Sequence, residues 1–250
     1  MRYFIELSYN GKNYHGWQAQ PNAITVQETV TKALSTILRV KVDTIGAGRT
    51  DAGVHALQLF AHFDVANAFD ENQITKKANA FLPEDIVVKN VFLVDDNTHA
   101  RFDAVSRSYE YRIWLGRNPF LTDFTWQLYQ KKLDINKMNQ AAAILLEYTN
   151  FKCFSKSKTD VRTYNCKITK AEWVKKDNEL TFYIKADRFL RNMVRAIVGT
   201  LVEVGTNKKS IEDFVEILKS EDRCEAGFSA PSQGLFLSTV NYPKSIINKK

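Results

Sequence analysis

Gly46-Ala47-Gly48-Arg49-Thr50-Asp51-Ala52-Gly53-Val54-His55-Ala56 gathers three glycines, one arginine, one carboxylate and one histidine into eleven residues. Glycine accepts positive φ and lets neighbouring groups come close. Glycines on both sides of Asp51 therefore predict a sharply turned loop with the carboxylate at its exposed point. Arg49, two residues away, is a cation close enough to hold and orient that carboxylate. An ionised carboxylate so held can act as a nucleophile or a general base. The same residues also fit an ordinary aspartate making a local hydrogen bond in a glycine-rich turn. Two other glycine-rich readings fail. No Gly-Lys-Ser/Thr follows, so the phosphate-cradling lysine of a P-loop is missing. Gly46-x-Gly48 also lacks the third glycine of a dinucleotide fingerprint.

Upstream of this loop, residues 3–9 alternate and are rich in Tyr, Phe, Ile and Leu, the pattern of a strand. Asn10-Gly11 signals a turn, and Trp17 in the segment that follows reads as a core plug. Thr25 and Glu28 have the spacing of a capping box, and Val26, Val30, Ala33, Leu34, Ile37 and Leu38 follow at helical spacing. Downstream, Leu59, Ala61, Phe63 and Val65 alternate with Gln58, Phe60, His62 and Asp64. The first set reads as the core face, which puts His62 on the solvent side or in a pairing role. Asp70 to Ala80 reads as a helix that stops before Leu82-Pro83, because proline disfavours the helical region for the residue before it. Ile86 to Leu93 reads as a strand. The first half thus reads β-α-β-α-β, with the Asp51 loop between the first helix and the strand after it.

In the second half, Val105 to Leu115 reads as a strand with Tyr109, Tyr111, Ile113 and Leu115 on one face. Taken alone, Tyr109 and Tyr111 fit two core aromatics. Asp134 can cap a helix carrying Ile135, Met138, Ala141, Ala142, Leu145 and Leu146. Phe151 to Lys158 mixes aromatics with cations, so it fits either base stacking and phosphate binding or a solvated loop. Lys167 to Val174 and Leu180 to Ala186 read as two strands. Phe189 to Val204 reads as a helix with an apolar stripe, on which Arg191 and Arg195 would be near neighbours. Alone, Arg195 fits a snorkelling surface residue. Ser210 and Asp213 frame a short capped helix through Leu218. Gly234 to Leu237 reads as the last strand, and the basic tail Lys244 to Lys250 as frayed.

Gly48 to Ala56 resembles the catalytic signature of the tRNA pseudouridine synthases of the TruA family, with Asp51 in register with the essential aspartate. Four further stretches resemble that family in order. They are Tyr9-x-Gly11 with Gly16-Trp17-Gln18-x-Gln20, His99-Ala100-Arg101-Phe102 with Tyr109-x-Tyr111, Phe189-Leu190-x-x-Met193-Val194-Arg195, and Ala230-Pro231-Ser232-x-Gly234-Leu235-x-Leu237. In the last, Ser232 stands where the family commonly has a second proline, a departure that touches loop rigidity.

The resemblance implies an α+β fold of two similar halves. Their antiparallel sheets would join into one continuous sheet backed by helices, with the active-site cleft between the halves. The boundary is placed near residues 104–107, giving an N-terminal half over 1–104 with the Asp51 loop and a C-terminal half over 105–250. It implies that Asp51 is the nucleophile, that Tyr109 faces the target base, and that Arg195 pairs with the catalytic carboxylate. Arg49 would fill the space left by the base or contact phosphate, and Leu235 would pack on the flipped uracil.

The implied reaction turns uridine into pseudouridine at positions 38, 39 and 40 of the tRNA anticodon stem-loop, with no cofactor. Whether the carboxylate attacks C1′ or C6, or removes a ribose proton, stays open. The family further implies a homodimer. Two rivals remain: a non-catalytic RNA-binding protein on the same scaffold, and a pseudouridine synthase acting on another RNA.

Composition sets the outer bounds. The 250 residues hold 35 Lys plus Arg against 28 Asp plus Glu, a net charge of +7. That balance favours a polyanionic partner such as nucleic acid. No apolar run approaches the ~20 residues that span a bilayer, and the first residues lack a signal-peptide core, so no membrane association is expected. Cys153, Cys166 and Cys224 are odd in number and without pattern, which argues against a disulfide framework and for the cytoplasm. The four histidines have no zinc spacing with one another or with the cysteines, so no metal site is expected.

Overall fold

Alternating bulky residues extend Arg2–Tyr9 as strand β1, and the computed structural model, which describes residues 1–156 and 161–247, continues from there. In chain order follow helix α1 (Val26–Leu38), β2 (Ile45–Gly46), β3 (His55–Asp64), α2 (Glu71–Phe81) and β4 (Ile86–Val94). Next come β5 (Ser106–Trp114), β6 (Trp126–Gln127), α3 (Ile135–Ile144), β7 (Ile168–Lys176) and β8 (Glu179–Ala186). The series ends with α4 (Met193–Gly205), α5 (Ile211–Ser220), β9 (Leu235–Asn241) and α6 (Lys244–Ile247). The fold is α+β. Among the described residues no helix is long and apolar enough to cross a membrane.

The chain divides into two compact units. One is Met1–Ser106 together with Leu237–Lys250, and the other is Arg107–Phe236. Strand β9 begins in the second unit and ends in the first.

In the first unit the strand order is β4-β1-β3-β9, with the short β2 on β3. β1 pairs antiparallel with both β3 and β4. Tyr3, Ile5 and Leu7 lie opposite Phe63, Ala61 and Leu59, and all six are buried. Thr25 caps α1 as expected, accepting from the Glu28 backbone N–H, and Asp70, read as the first helical residue, instead caps α2 by accepting from the Gln73 N–H, each satisfying a donor that the helix start leaves unpaired. α2 stops at Leu82, in extended geometry before Pro83.

The face of β3 assigned to solvent is buried as well. Phe60 and His62 are both 2 % exposed. The Tyr242 ring packs edge-on against Phe60 at 5.3 Å and against Phe4 at 5.4 Å, and the Ala100 backbone N–H donates to His62 Nδ1 at 3.1 Å. A second layer of chain covers this face, which alternation within one strand cannot reveal. Burial, helped by the Arg2 charge, pulls the His62 pKa down to about 4.

In the second unit β5, β8 and β7 pair antiparallel in that order, and β6 runs parallel on β5. α3 packs on α4, α5 and β7. The Ser210 and Asp213 capping box forms at the start of α5.

Two expectations are corrected here. The helix read from Phe189 begins only at Met193, because Asn192 has left-handed geometry at φ 66°. Arg191 therefore precedes the helix and is no i,i+4 neighbour of Arg195. Phe151 and Phe154 are fully buried, Phe154 lying 6.1 Å from the Phe214 ring, so these aromatics are core and not a stacking platform. Ser157 and Lys158 lie outside the described residues, as do Asn248, Lys249 and Lys250 of the tail, whose earlier part forms α6. All three cysteines are free, and burial pushes the Cys153 and Cys166 thiols up to about 12.

Candidate active site

The Asp51 loop is held from below by the segment between β1 and α1. Trp17 N–H donates to the Thr50 carbonyl at 3.3 Å, and Gly53 N–H donates to the Tyr14 carbonyl at 3.1 Å. Gly11 N–H donates to His55 Nδ1 at 3.0 Å, which gives the buried histidine a structural partner. The loop also closes on itself, Val54 N–H donating to the Asp51 carbonyl at 3.2 Å.

Tyr14 is fixed in turn by its phenol, which donates to Asp85 Oδ1 at 2.6 Å. Burial and that carboxylate both push the phenol pKa upward, so it stays a donor. The Asn10 side chain caps the turn Gly11–Asn13 by accepting from Lys12 N–H at 3.1 Å.

The glycines that make this fit possible are only partly those of the loop. Among Gly46, Gly48 and Gly53, Gly53 alone has positive φ, at 75°. Gly46 admits the Trp17 indole, which a β-carbon would meet at 2.4 Å, and Trp17 is the core plug expected. The closest approaches come from Gly11 and Gly16 upstream. A β-carbon on Gly11 would lie 2.0 Å from the Val54 carbonyl oxygen.

Asp51 is half-buried and Arg49 is exposed. The pattern of glycines around the aspartate predicted the turn. It missed that the tightness comes from another segment, whose Tyr9-x-Gly11 and Gly16-Trp17 were the only sequence signal.

Tyr109, Arg195 and Leu235 belong to the second unit. Tyr109 sits on β5 opposite Ile184, half-buried, with its ring edge-on to Phe189 at 5.1 Å. Arg195 stands in the first turn of α4, also half-buried. Its Nε donates to the Ala230 carbonyl at 2.7 Å, and Ala230 N–H donates back to the Arg195 carbonyl at 2.9 Å. The next carbonyl, that of Pro231, accepts from the Tyr111 phenol at 2.7 Å.

Tyr111 is fully buried, and desolvation holds its phenol protonated far above the ordinary range, with Arg195 opposing more weakly. Tyr111 is thus the core aromatic of the pair. Asn192 Nδ2 donates to Ser229 Oγ at 2.7 Å, and Gly199 lets the Phe228 backbone touch α4. The 228–231 strap and the Arg195 end of α4 therefore lock each other in place. Leu235 opens β9 and is 5 % exposed, so only an edge of its side chain is open.

A carboxylate on a tightly clamped loop, carried by an α+β scaffold, defines the class of protein. The chain matches the tRNA pseudouridine synthase family over residues 7–103 and 141–243 and belongs to it, a family of isomerases. The relatives are more particular. The tRNA pseudouridine synthase A of Bacteroides thetaiotaomicron is 51 % identical over 252 residues, covering 100 % of this chain and 93 % of its own. That of Porphyromonas gingivalis is 50 % identical, covering 98 % of each chain. That of Limosilactobacillus reuteri is 38 % identical, covering 96 % of each.

Proposed function

We propose that this protein isomerises uridine to pseudouridine at positions 38, 39 and 40 of the tRNA anticodon stem-loop, with Asp51 as the nucleophile. The observation that carries this reading is the clamped loop, in which the backbone on both sides of Asp51 is fixed by hydrogen bonds to one neighbouring segment. Full-length likeness to proteins named tRNA pseudouridine synthase A supports the substrate.

The N1–C1′ bond breaks, the uracil turns, a C5–C1′ bond forms, and C5 gives up its proton while N1 takes one up, so the net change is an isomerisation with no redox partner or group donor. The base must leave the helical stack to reach a carboxylate. Arg49, exposed on the same loop, meets the RNA backbone or the vacated stack. Tyr109, Arg195 and Leu235 complete the substrate-binding set, Leu235 as an apolar wall. The same likeness supports a homodimer working in the cytoplasm.

The test is to map pseudouridine in bulk tRNA from cells with and without the protein. Loss at 38–40 on deletion is expected. Loss elsewhere would point to another RNA site, and no loss to a non-catalytic binding protein. Sedimentation at micromolar concentration checks the dimer.

A further inference from the structure

We propose that the hydrogen bond between the Tyr9 phenol and the Thr50 hydroxyl sets the Asp51 carboxylate, which makes Tyr9 and Thr50 positioning residues of the reaction. The inference rests on the pseudouridine synthase reading above. The two oxygens are 2.8 Å apart and buried, Tyr9 being 4 % exposed and Thr50 7 %.

Sheet geometry fixes the Tyr9 end. Tyr9 closes β1 opposite Ala56, just after an irregularity in register between Leu7 and Tyr9. Its ring stacks on the buried Trp17 indole at 6.3 Å. Side-chain stiffness transmits the constraint at the Thr50 end. Threonine is branched at Cβ, so holding its hydroxyl holds χ1 and, with it, the Cα next to Asp51.

The backbone around Asp51 has little slack to absorb a shift. The Thr50 carbonyl is held by Trp17 N–H, the Asp51 carbonyl by Val54 N–H, and Gly53 N–H by the Tyr14 carbonyl. These contacts fix the peptide planes, and the Tyr9–Thr50 bond adds a side-chain constraint immediately before the reacting residue. Deleting either hydroxyl removes this constraint on the Thr50 side chain and leaves the loop freer to move. A nucleophile displaced by about 1 Å loses on the order of 100-fold in rate.

The experiment measures single-turnover conversion of an anticodon stem-loop RNA with enzyme in excess, beside the Kd for the same RNA and the thermal midpoint. Tyr9→Phe and Thr50→Val are expected to slow conversion at least ~10-fold with Kd within about twofold. Thr50→Ser, which keeps the hydroxyl, is expected to retain most of the rate. The double variant Tyr9→Phe/Thr50→Val should be no slower than the slower single, because one interaction is lost either way.

Wild-type rates in both single variants, or losses that multiply in the double, would overturn the positioning role. So would slowing that only follows a lowered midpoint. If Thr50→Val fails to fold, Tyr9→Phe against wild type decides. Wild-type protein that forms no pseudouridine overturns the functional reading itself, whereas wild-type conversion with an undiminished Tyr9→Phe overturns the positioning alone.

Discussion

Gly16, at φ 92°, lies so close to Thr50 that a β-carbon placed on it would stand 2.3 Å from the Thr50 carbonyl oxygen. The obstacle is backbone, which cannot rotate aside as a flexible side chain could. Gly16→Ala is therefore expected to combine left-handed strain of about 1–2 kcal/mol with a displaced Asp51 loop. Urea unfolding should show the lost stability, and conversion of an anticodon stem-loop should fall further than the folded fraction does. Activity that falls only in step with folding would separate this glycine from the chemistry.

Asp51→Asn keeps the shape of the side chain and removes its charge. Conversion is expected to fall by at least ~1,000-fold, with a normal circular dichroism spectrum. Filter binding should give an affinity within about twofold of wild type, since most protein–RNA affinity comes from phosphate contacts. Substantial turnover by the folded variant would remove Asp51 from the nucleophile role.

Tyr109→Phe leaves the ring edge-on to Phe189 and deletes only the hydroxyl. If that hydroxyl works on the base, turnover should fall by ~10-fold or more with little change in KM. Unchanged kcat would assign Tyr109 to packing alone.

The net charge of +7 gives tRNA binding an electrostatic share. Titrations between low and moderate salt should weaken affinity by at least ~10-fold, with a linear log–log slope that counts displaced counterions. A flat response would contradict phosphate-led binding.

His62 makes folding sensitive to acid. Its pKa is ordinary when the chain is unfolded and about 4 when folded. Between those values the unfolded chain binds a proton that the folded one refuses, so stability is full above about pH 6.5 and drains away as pH falls toward 4. The full loss is about 3 kcal/mol. Urea midpoints at pH 7 and pH 5 should separate more in wild type than in His62→Gln, and equal separations would refute the assignment.

Local signals were the legible part of this sequence. Thr25, Asp134 and the Ser210–Asp213 box each cap the helix they were expected to cap, because capping is decided within four residues. β1 and β5 followed from alternation. The burial of Phe60 and His62 was not legible, because residues 38 and 182 positions away in sequence cover them. The delayed start of α4 turns on a single left-handed asparagine inside an otherwise helical pattern. Around Asp51 the sequence marked the candidate nucleophile through its family likeness. The clamp was hidden, since Gly11, Gly16 and Tyr9 act on the loop only once β1 and β3 have paired.

The division of the chain has a consequence for synthesis. The second unit is an uninterrupted run, Arg107–Phe236, set inside a first unit made of two separated pieces. As the chain emerges from the ribosome, the second unit has all its residues before the first has regained Leu237 onward. Until then the nascent first unit lacks β9 and Tyr242, and Phe4 and Phe60 go without the Tyr242 ring that packs on them. The piece that carries the Asp51 loop starts first and is finished last.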